Sequence, residues 1–102
     1  MDSDSSYIDD STFFVRIKVV NKHMLPIQYA AISLGTFDNY EKVKYLGESK
    51  ENGEFSVRLS KKIDYDYLKI SYVGYKDYII SIKNKKTINI IIVKMSLAVF
   101  VY

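Results

Sequence analysis

The stretch LKISYVGYKDYIISI, residues 68–82, decides the fold. Apolar or aromatic residues take every second position on either side of Gly74, which is the alternation of a half-buried β-strand. A backbone that bends sharply between two strands favours glycine, because a side chain obstructs the torsion angles required there. The stretch therefore predicts two adjacent strands joined at Gly74. The residues predicted to face the core are Leu68, Ile70, Tyr72, Tyr78, Ile80 and Ile82.

The composition favours an all-β protein over a helical one. The 102 residues include ten Tyr and five Phe, and 48% of the chain is hydrophobic. Aromatic and β-branched residues suit a pleated sheet and are poorer in helices. A chain of this length forms one domain with a core of its own, and the absence of Cys excludes disulfides and thiolate chemistry.

Charge is distributed unevenly along the chain. Four of the twelve acidic residues lie in the first ten positions, so residues 13–102 carry fifteen basic and eight acidic side chains, a net +7. We interpret residues 1–12 as a flexible acidic tail and residues 13–102 as the domain. The lysines lie at predicted strand ends, where they protect sheet edges from aggregation, so we expect no nucleic-acid partner. The acidic tail lacks the ligand spacing of a calcium loop, and we expect no metal or cofactor.

Further strands are predicted on both sides of the deciding stretch. Asn52-Gly53 indicates a hairpin in which both residues adopt positive φ. Val43 and Tyr45 are predicted to face inward. With the two strands around Gly74 this makes seven or eight short strands and predicts a mostly antiparallel β-sandwich. The other predicted strands are Phe13–Val20, Gln28–Leu34, Tyr40–Ser49, Glu54–Ser60, Thr87–Val93 and Ser96–Tyr102.

The order of these motifs resembles that of carboxypeptidase regulatory-like domains over about residues 13–95. The most specific parts are ENGEF, residues 51–55, and SYVGY, residues 71–75. Met24 and Leu25 depart from the family, which usually has a glycine near the proline. The residues that match family motifs, in structural roles, are Pro26, Gly47, Asn52, Gly53, Phe55, Ser71, Tyr72, Gly74 and Tyr75.

The resemblance implies a fold, a location and a function. The family fold is a transthyretin-like (prealbumin-like), Ig-like β-sandwich of seven strands. Members with the SYVGY form often precede the plug of TonB-linked outer-membrane receptors, or stand as small modules in exported proteins. We therefore expect a non-catalytic accessory module of the cell envelope, with a leader already removed from this numbering; a cytoplasmic location stays open.

Catalytic groups are scarce. His23 is the single histidine, in a predicted turn beside Pro26, and no serine lies in a nucleophile-elbow motif. Asp64 and Asp66 share one face of a strand, but they more simply begin that strand from a polar loop. We expect the protein not to be an enzyme.

Surface tyrosines are the candidate ligand-binding residues. Exposed rings can stack on sugars, although tyrosine also stabilises sheets from either face. The candidates are Tyr29, Tyr65, Tyr67 and Tyr75. They support an alternative function, a carbohydrate-binding module.

Partner binding is the leading function that we expect. The partner is a protein of the envelope or a receptor component. Residues 96–102 are apolar on both faces, so we expect them to add to a sheet edge, either in their own chain or across a homodimer.

Overall fold

The computed structural model describes residues 11–98, and this range is all-β, as predicted. It contains seven strands: β1 (Thr12–Val20), β2 (Ala31–Gly35), β3 (Val43–Glu48), β4 (Glu54–Ser60), β5 (Tyr67–Ser71), β6 (Tyr78–Ser81) and β7 (Ile88–Lys94). The predicted acidic tail lies outside this range except for its last two residues, and Thr12 already belongs to β1.

The strands form two sheets. The three-stranded sheet has the order β4-β1-β7, and the four-stranded sheet has the order β3-β2-β5-β6. The β1–β7 pair is parallel, whereas the other four strand pairs are antiparallel. The prediction of a mostly antiparallel sandwich is confirmed.

The stretch around Gly74 forms two neighbouring strands, as its sequence predicts. β5 and β6 pair antiparallel, and the Tyr75 N–H donates to the Tyr72 carbonyl across a turn (3.0 Å). Gly74 has φ 85°, a left-handed conformation that glycine adopts without strain. Of the six residues predicted to face the core, Leu68, Ile70, Ile80 and Ile82 are buried and Tyr72 packs against the core. Tyr78 lies opposite Ile70 on the core face, but this end of the edge strand is only partly covered, and its side chain is 37% exposed.

The core lies between the two sheets and is built largely from β1, β2 and β5. Four alternate residues of β1 are almost fully buried: Phe13, Val15, Ile17 and Val19. Leu59, Val57 and Phe55 of β4 lie opposite the first three of these and share one face. Each fully buried Ile or Val contributes about 1.5–3 kcal/mol through removal of apolar surface from water.

The prediction that Val43 and Tyr45 face inward is wrong. Their exposed fractions are 48% and 60%, and Leu46 packs against the core in their place. The cause is a bulge: Ile32 pairs with Gly47, but the next residue of β2, Ser33, pairs with Tyr45. One extra residue reverses the facing of a strand, because side chains alternate with period two.

The predicted hairpin at Asn52-Gly53 is also wrong, although the chain does turn there. β3 and β4 belong to different sheets, so this turn joins the two layers. The Gly53 N–H donates to the Lys50 carbonyl (2.8 Å), and the Lys50 N–H donates to the Glu54 carbonyl (2.9 Å). Gly53 has φ 82°, whereas Asn52 is not among the residues with positive φ. This is the three-residue turn that ends in a left-handed glycine.

The C-terminal segment pairs within its own chain as far as it is described. The Lys76 N–H donates to the Ser96 carbonyl (2.8 Å), and the Ala98 N–H donates to the Gly74 carbonyl (2.9 Å). The remainder of the predicted strand, residues 99–102, lies outside the described residues. The first predicted residues of the second strand, 28–30, are loop, and the strand begins at Ala31.

Candidate functional site

Three tyrosines meet at one end of the sandwich. Tyr29, Tyr72 and Tyr75 lie there, on the loops after β1 and β5. The Tyr72 and Tyr75 ring centroids are 6.0 Å apart, in tilted contact. We call this end, with residues 21–30, 72–77 and 94–98, the tyrosine end.

Asn21 folds the first of these loops. Its side-chain oxygen accepts hydrogen bonds from the His23 N–H (2.8 Å) and the Leu25 N–H (3.1 Å). The Met24 N–H closes the turn by donating to the Asn21 carbonyl (2.9 Å). Met24 is thereby held at φ 64°, a left-handed conformation that favours glycine. Met24, one of the two residues at which the sequence departs from the carboxypeptidase regulatory-like pattern, thus has a strained backbone.

Tyr29, like Met24, has a left-handed backbone conformation. It has φ 69°, and its side chain is 61% exposed. The buried Ser49 anchors this backbone: its hydroxyl donates to the Ile27 carbonyl (2.6 Å) and accepts from the Ala30 N–H (2.9 Å). The Tyr29 N–H donates to the Ser49 carbonyl (3.0 Å). A left-handed conformation costs a residue with a side chain about 1–2 kcal/mol, so the fold presents Tyr29 to solvent at a cost in stability.

Two depressions flank Tyr75. On one side, a shallow groove of about 570 Å³ runs between Tyr29 and the Tyr72–Tyr75 turn. On the other side, an open cleft of about 590 Å³ lies between residues 21–23 and residues 94–97. Both volumes are in the range of small-molecule and side-chain binding sites.

The cleft combines an apolar floor with a cationic rim. Met95 is buried at its base, and Tyr75 and Leu97 add apolar surface. Two lysines and a histidine stand around it: Lys22, His23 and Lys94. No acidic side chain is among the lining residues, so the cleft favours a ligand that carries negative charge beside an apolar group.

Several large hydrophobic side chains are exposed at the tyrosine end. Val73, at the tip of the Gly74 turn, is 87% exposed. The others with more than half of their surface exposed there are Met24, Leu25, Tyr29 and Leu97. Single exposed hydrophobics need no explanation, but several on adjoining loops are typical of an interaction surface.

Tyr65 and Tyr67 lie at the opposite end of the sandwich, away from Tyr29 and Tyr75. The Tyr67 ring covers Gly35 and stands 4.9 Å from the Phe37 ring, centroid to centroid. The Lys42 ammonium lies 5.0 Å from the centre of the Tyr65 ring, which packs against the core. Two of the four candidate tyrosines therefore lie at each end of the sandwich.

The polar candidates have ordinary local partners. His23 is exposed in its turn, as predicted. Asp64 forms a 2.6 Å ion pair with Lys42, and this hydrogen bond lowers the pKa of the Asp64 carboxyl and raises the pKa of Lys42. The Asp66 carboxylate instead accepts the Phe37 N–H (2.9 Å), so the two aspartates have different partners.

Residues 11–98 contain no cluster of three or more His, Asp or Glu side chains that could hold a metal ion. Within the same range, no helix is long and apolar enough to cross a membrane.

Four of the residues that resemble family motifs, Gly47, Gly53, Pro26 and Ser71, have surroundings that the structure shows directly. A side chain at Gly47 would meet the Phe55 ring at 3.2 Å, so the glycine lets an aromatic ring pack beside the strand. A side chain at Gly53 would meet the Val19 carbonyl oxygen and the Pro26 ring. Pro26 itself pairs with Val20 in an isolated bridge, and Ser71 ends β5.

The sequence does not identify Ser49 as the residue that anchors the Tyr29 backbone, because a lone serine in a sequence does not show whether it is buried.

Comparisons with known proteins show a fold. No protein-family model matches the sequence, and no curated protein is similar to it. A streptococcal ancillary pilin is similar in structure, with a TM-score of 0.52 and 12% identity over 87% of this chain and 33% of the pilin chain. The 3-chlorocatechol 1,2-dioxygenase of Rhodococcus opacus has a TM-score of 0.47 and 18% identity over 70% of this chain and 44% of that chain.

This chain thus spans about a third of the length of the pilin that it resembles. At 12% identity the likeness shows the β-sandwich fold alone. The resemblance to carboxypeptidase regulatory-like domains stays a prediction.

Proposed function

We propose that this domain is a non-catalytic interaction module of the cell envelope that binds a protein partner through the tyrosine end. The observation that carries the proposal is the set of exposed hydrophobic side chains at this end, with Tyr29 anchored by the buried hydrogen bonds of Ser49 and Met24 held by the exposed hydrogen bonds of Asn21. Met24 and Tyr29 keep left-handed backbones there, although glycine would relieve the strain. Strain that persists on a surface loop is typical of a position with a function.

Two similarities support a location in the cell envelope. The ENGEF and SYVGY motifs resemble carboxypeptidase regulatory-like domains, including those that precede the plug of TonB-linked outer-membrane receptors. The similar streptococcal structure is described as an ancillary pilin. We propose that the present domain belongs to that regulatory-like family and acts beside a receptor or another surface component.

A site-specific crosslink tests partner binding. A photoreactive phenylalanine analogue replaces Tyr29 in the natural host, and the matched control places it at Tyr40, which is 83% exposed near the other end. We expect a discrete adduct from position 29 that Val73→Asp abolishes, because a charge at the tip of the turn opposes apolar docking. Equal adducts from both positions, or none from position 29, would contradict the proposal.

The second candidate is carbohydrate binding by the tyrosines, and the ring pair at the opposite end favours it. Phe37 is more than half exposed beside Tyr67, and the Lys83 ammonium lies 5.8 Å from the Phe37 ring centre. A glycan array probed with the native protein, Phe37→Ala and Tyr29→Ala locates any such site. Loss on Phe37→Ala alone would assign sugar binding to this pair, whereas flat binding of the native protein would remove the candidate.

The homodimer through residues 96–102 also remains a proposal. Residues 96–98 pair within their own chain, so an exchange between copies would replace the contacts with residues 74–76. Removal of residues 99–102 should then convert the dimer to a monomer, as measured by the solution mass. A truncated protein with the same oligomeric state as the full chain would contradict this dimer.

A further inference from the structure

The cleft beside Tyr75 has the chemistry to bind an acidic peptide with an apolar centre. Its floor is apolar, and its rim carries Lys22, His23 and Lys94. Among the ion pairs of the described residues, neither Lys22 nor Lys94 takes part. Two unneutralised lysines beside buried apolar surface favour an apolar side chain with a carboxylate on either flank.

The first ten residues of this chain have that pattern. They read MDSDSSYIDD, with the apolar pair Tyr7-Ile8 placed between two groups of aspartates. Asp2 and Asp4 precede the pair, and Asp9 and Asp10 follow it. The segment contains no basic side chain, whereas residues 11–98 carry fifteen basic and eight acidic ones.

The segment cannot place its apolar pair in the cleft of its own chain. β1 runs from Thr12 to Val20, about 26 Å at ~3.3 Å per residue, and the cleft lies beyond its Val20 end. Ile8 is three residues before Ser11, so it reaches about 11 Å at most from that residue. The distance to be covered is more than twice this reach.

We propose that residues 1–10 of one copy bind the cleft of a second copy, with Tyr7 and Ile8 against Leu97 and the cleft floor. The aspartates lie near Lys22 and Lys94 of that second copy. This rests on the proposed function, since it names a second copy as a partner of the tyrosine end. The contact joins unlike surfaces, so association proceeds head to tail and depends on concentration. Added salt weakens this contact, because it screens the exposed charges that attract the acidic segment to the cleft.

Sedimentation velocity of the full chain tests the proposal, over a wide concentration range at low salt and in 1 M salt. We expect self-association at low salt that is lost in 1 M salt. Added synthetic peptide of residues 1–10 should return the protein to the monomer, and a scrambled peptide of the same composition should be at least about tenfold less effective. Equal potency of the two peptides would show attraction by charge alone and would overturn the assignment.

Charge reversals locate the surface. Lys22→Glu with Lys94→Glu should abolish self-association and peptide binding. Lys61→Glu with Lys62→Glu makes the same change of charge in the β4–β5 loop and should leave both intact, with melting curves confirming that each variant is folded. Native-like association of the first variant would overturn the proposal.

The test separates this inference from the proposed function. A protein that is monomeric at every concentration, but still gives the position 29 crosslink to a different protein, contradicts the inference alone. Loss of that crosslink with self-association intact contradicts partner binding through the groove and leaves the contact between copies.

Discussion

Removal of the Ser49 hydroxyl should destabilise the domain and release the loop that presents Tyr29. In Ser49→Ala, the Ile27 carbonyl and the Ala30 N–H lose their partner in surroundings where all three residues are less than a tenth exposed. A buried polar group without a partner costs about 1–3 kcal/mol. A domain of this size loses about 4–8 °C of melting temperature per kcal/mol, so we expect a fall of at least about 4 °C.

Two measurements check this expectation. Urea unfolding gives the change in the free energy of unfolding, with Ser56→Ala on the exposed face of β4 as the matched control, expected within about 0.5 kcal/mol of the native protein. Amide exchange should accelerate at Tyr29 and Ala30 beyond the change in global stability. A Ser49→Ala protein as stable as the control would refute the role of this hydroxyl.

Three further predictions follow from named contacts. Gly53→Ala should cost at least about 1 kcal/mol more than Gly74→Ala in urea unfolding: both glycines have positive φ, but an added methyl would strike the Val19 carbonyl at the first position and nothing within 4 Å at the second. Equal costs would contradict the clash. Ile70→Ala should cost about 2–5 kcal/mol and Lys69→Ala little, because the former leaves a cavity in the core; equal costs would mean a register error of one residue. The Asp64 pKa, followed by carboxyl NMR, should lie below its ordinary value and rise in 1 M salt. The small contribution of this ion pair to folding stability is therefore present at neutral pH and is lost as the pH falls through the folded pKa. A titration midpoint that salt leaves unchanged would exclude the ion pair.

The sequence is sufficient to predict a β-sandwich and the buried faces of its main strands, but it is insufficient to predict how the strands are connected. Alternation along β1 and β5 identifies their buried faces correctly, because period two is a local property of the strand. The facing of Val43 and Tyr45 depends on a bulge in pairing with β2, a contact between distant residues that alternation does not encode. The prediction of a hairpin at Asn52-Gly53 is wrong for a similar reason. A tight turn is a local property of the sequence, but the sheet to which the following strand belongs is not.

The candidate site shows the same division. Sequence alone selects tyrosines on strands and loops, but their separation to opposite ends of the sandwich follows from the topology. The left-handed backbones of Met24 and Tyr29 have no sequence signal, because neither residue type favours that conformation. The sequence marks Tyr29 as a candidate by its residue type, and it marks Met24 only by its departure from the glycine that carboxypeptidase regulatory-like domains usually have near the proline.

The parallel pairing of β1 with β7 determines how the domain responds to tension. Within residues 11–98, β1 is the first strand and β7 the last, and they run side by side in the same direction. A force that draws the two ends of the chain apart therefore pulls these strands lengthwise past each other. Their hydrogen bonds then carry the load together, whereas a hairpin pulled from its open end breaks its bonds one at a time. A force applied between the start of β1 and the end of β7 therefore loads the hydrogen bonds of this pair in shear.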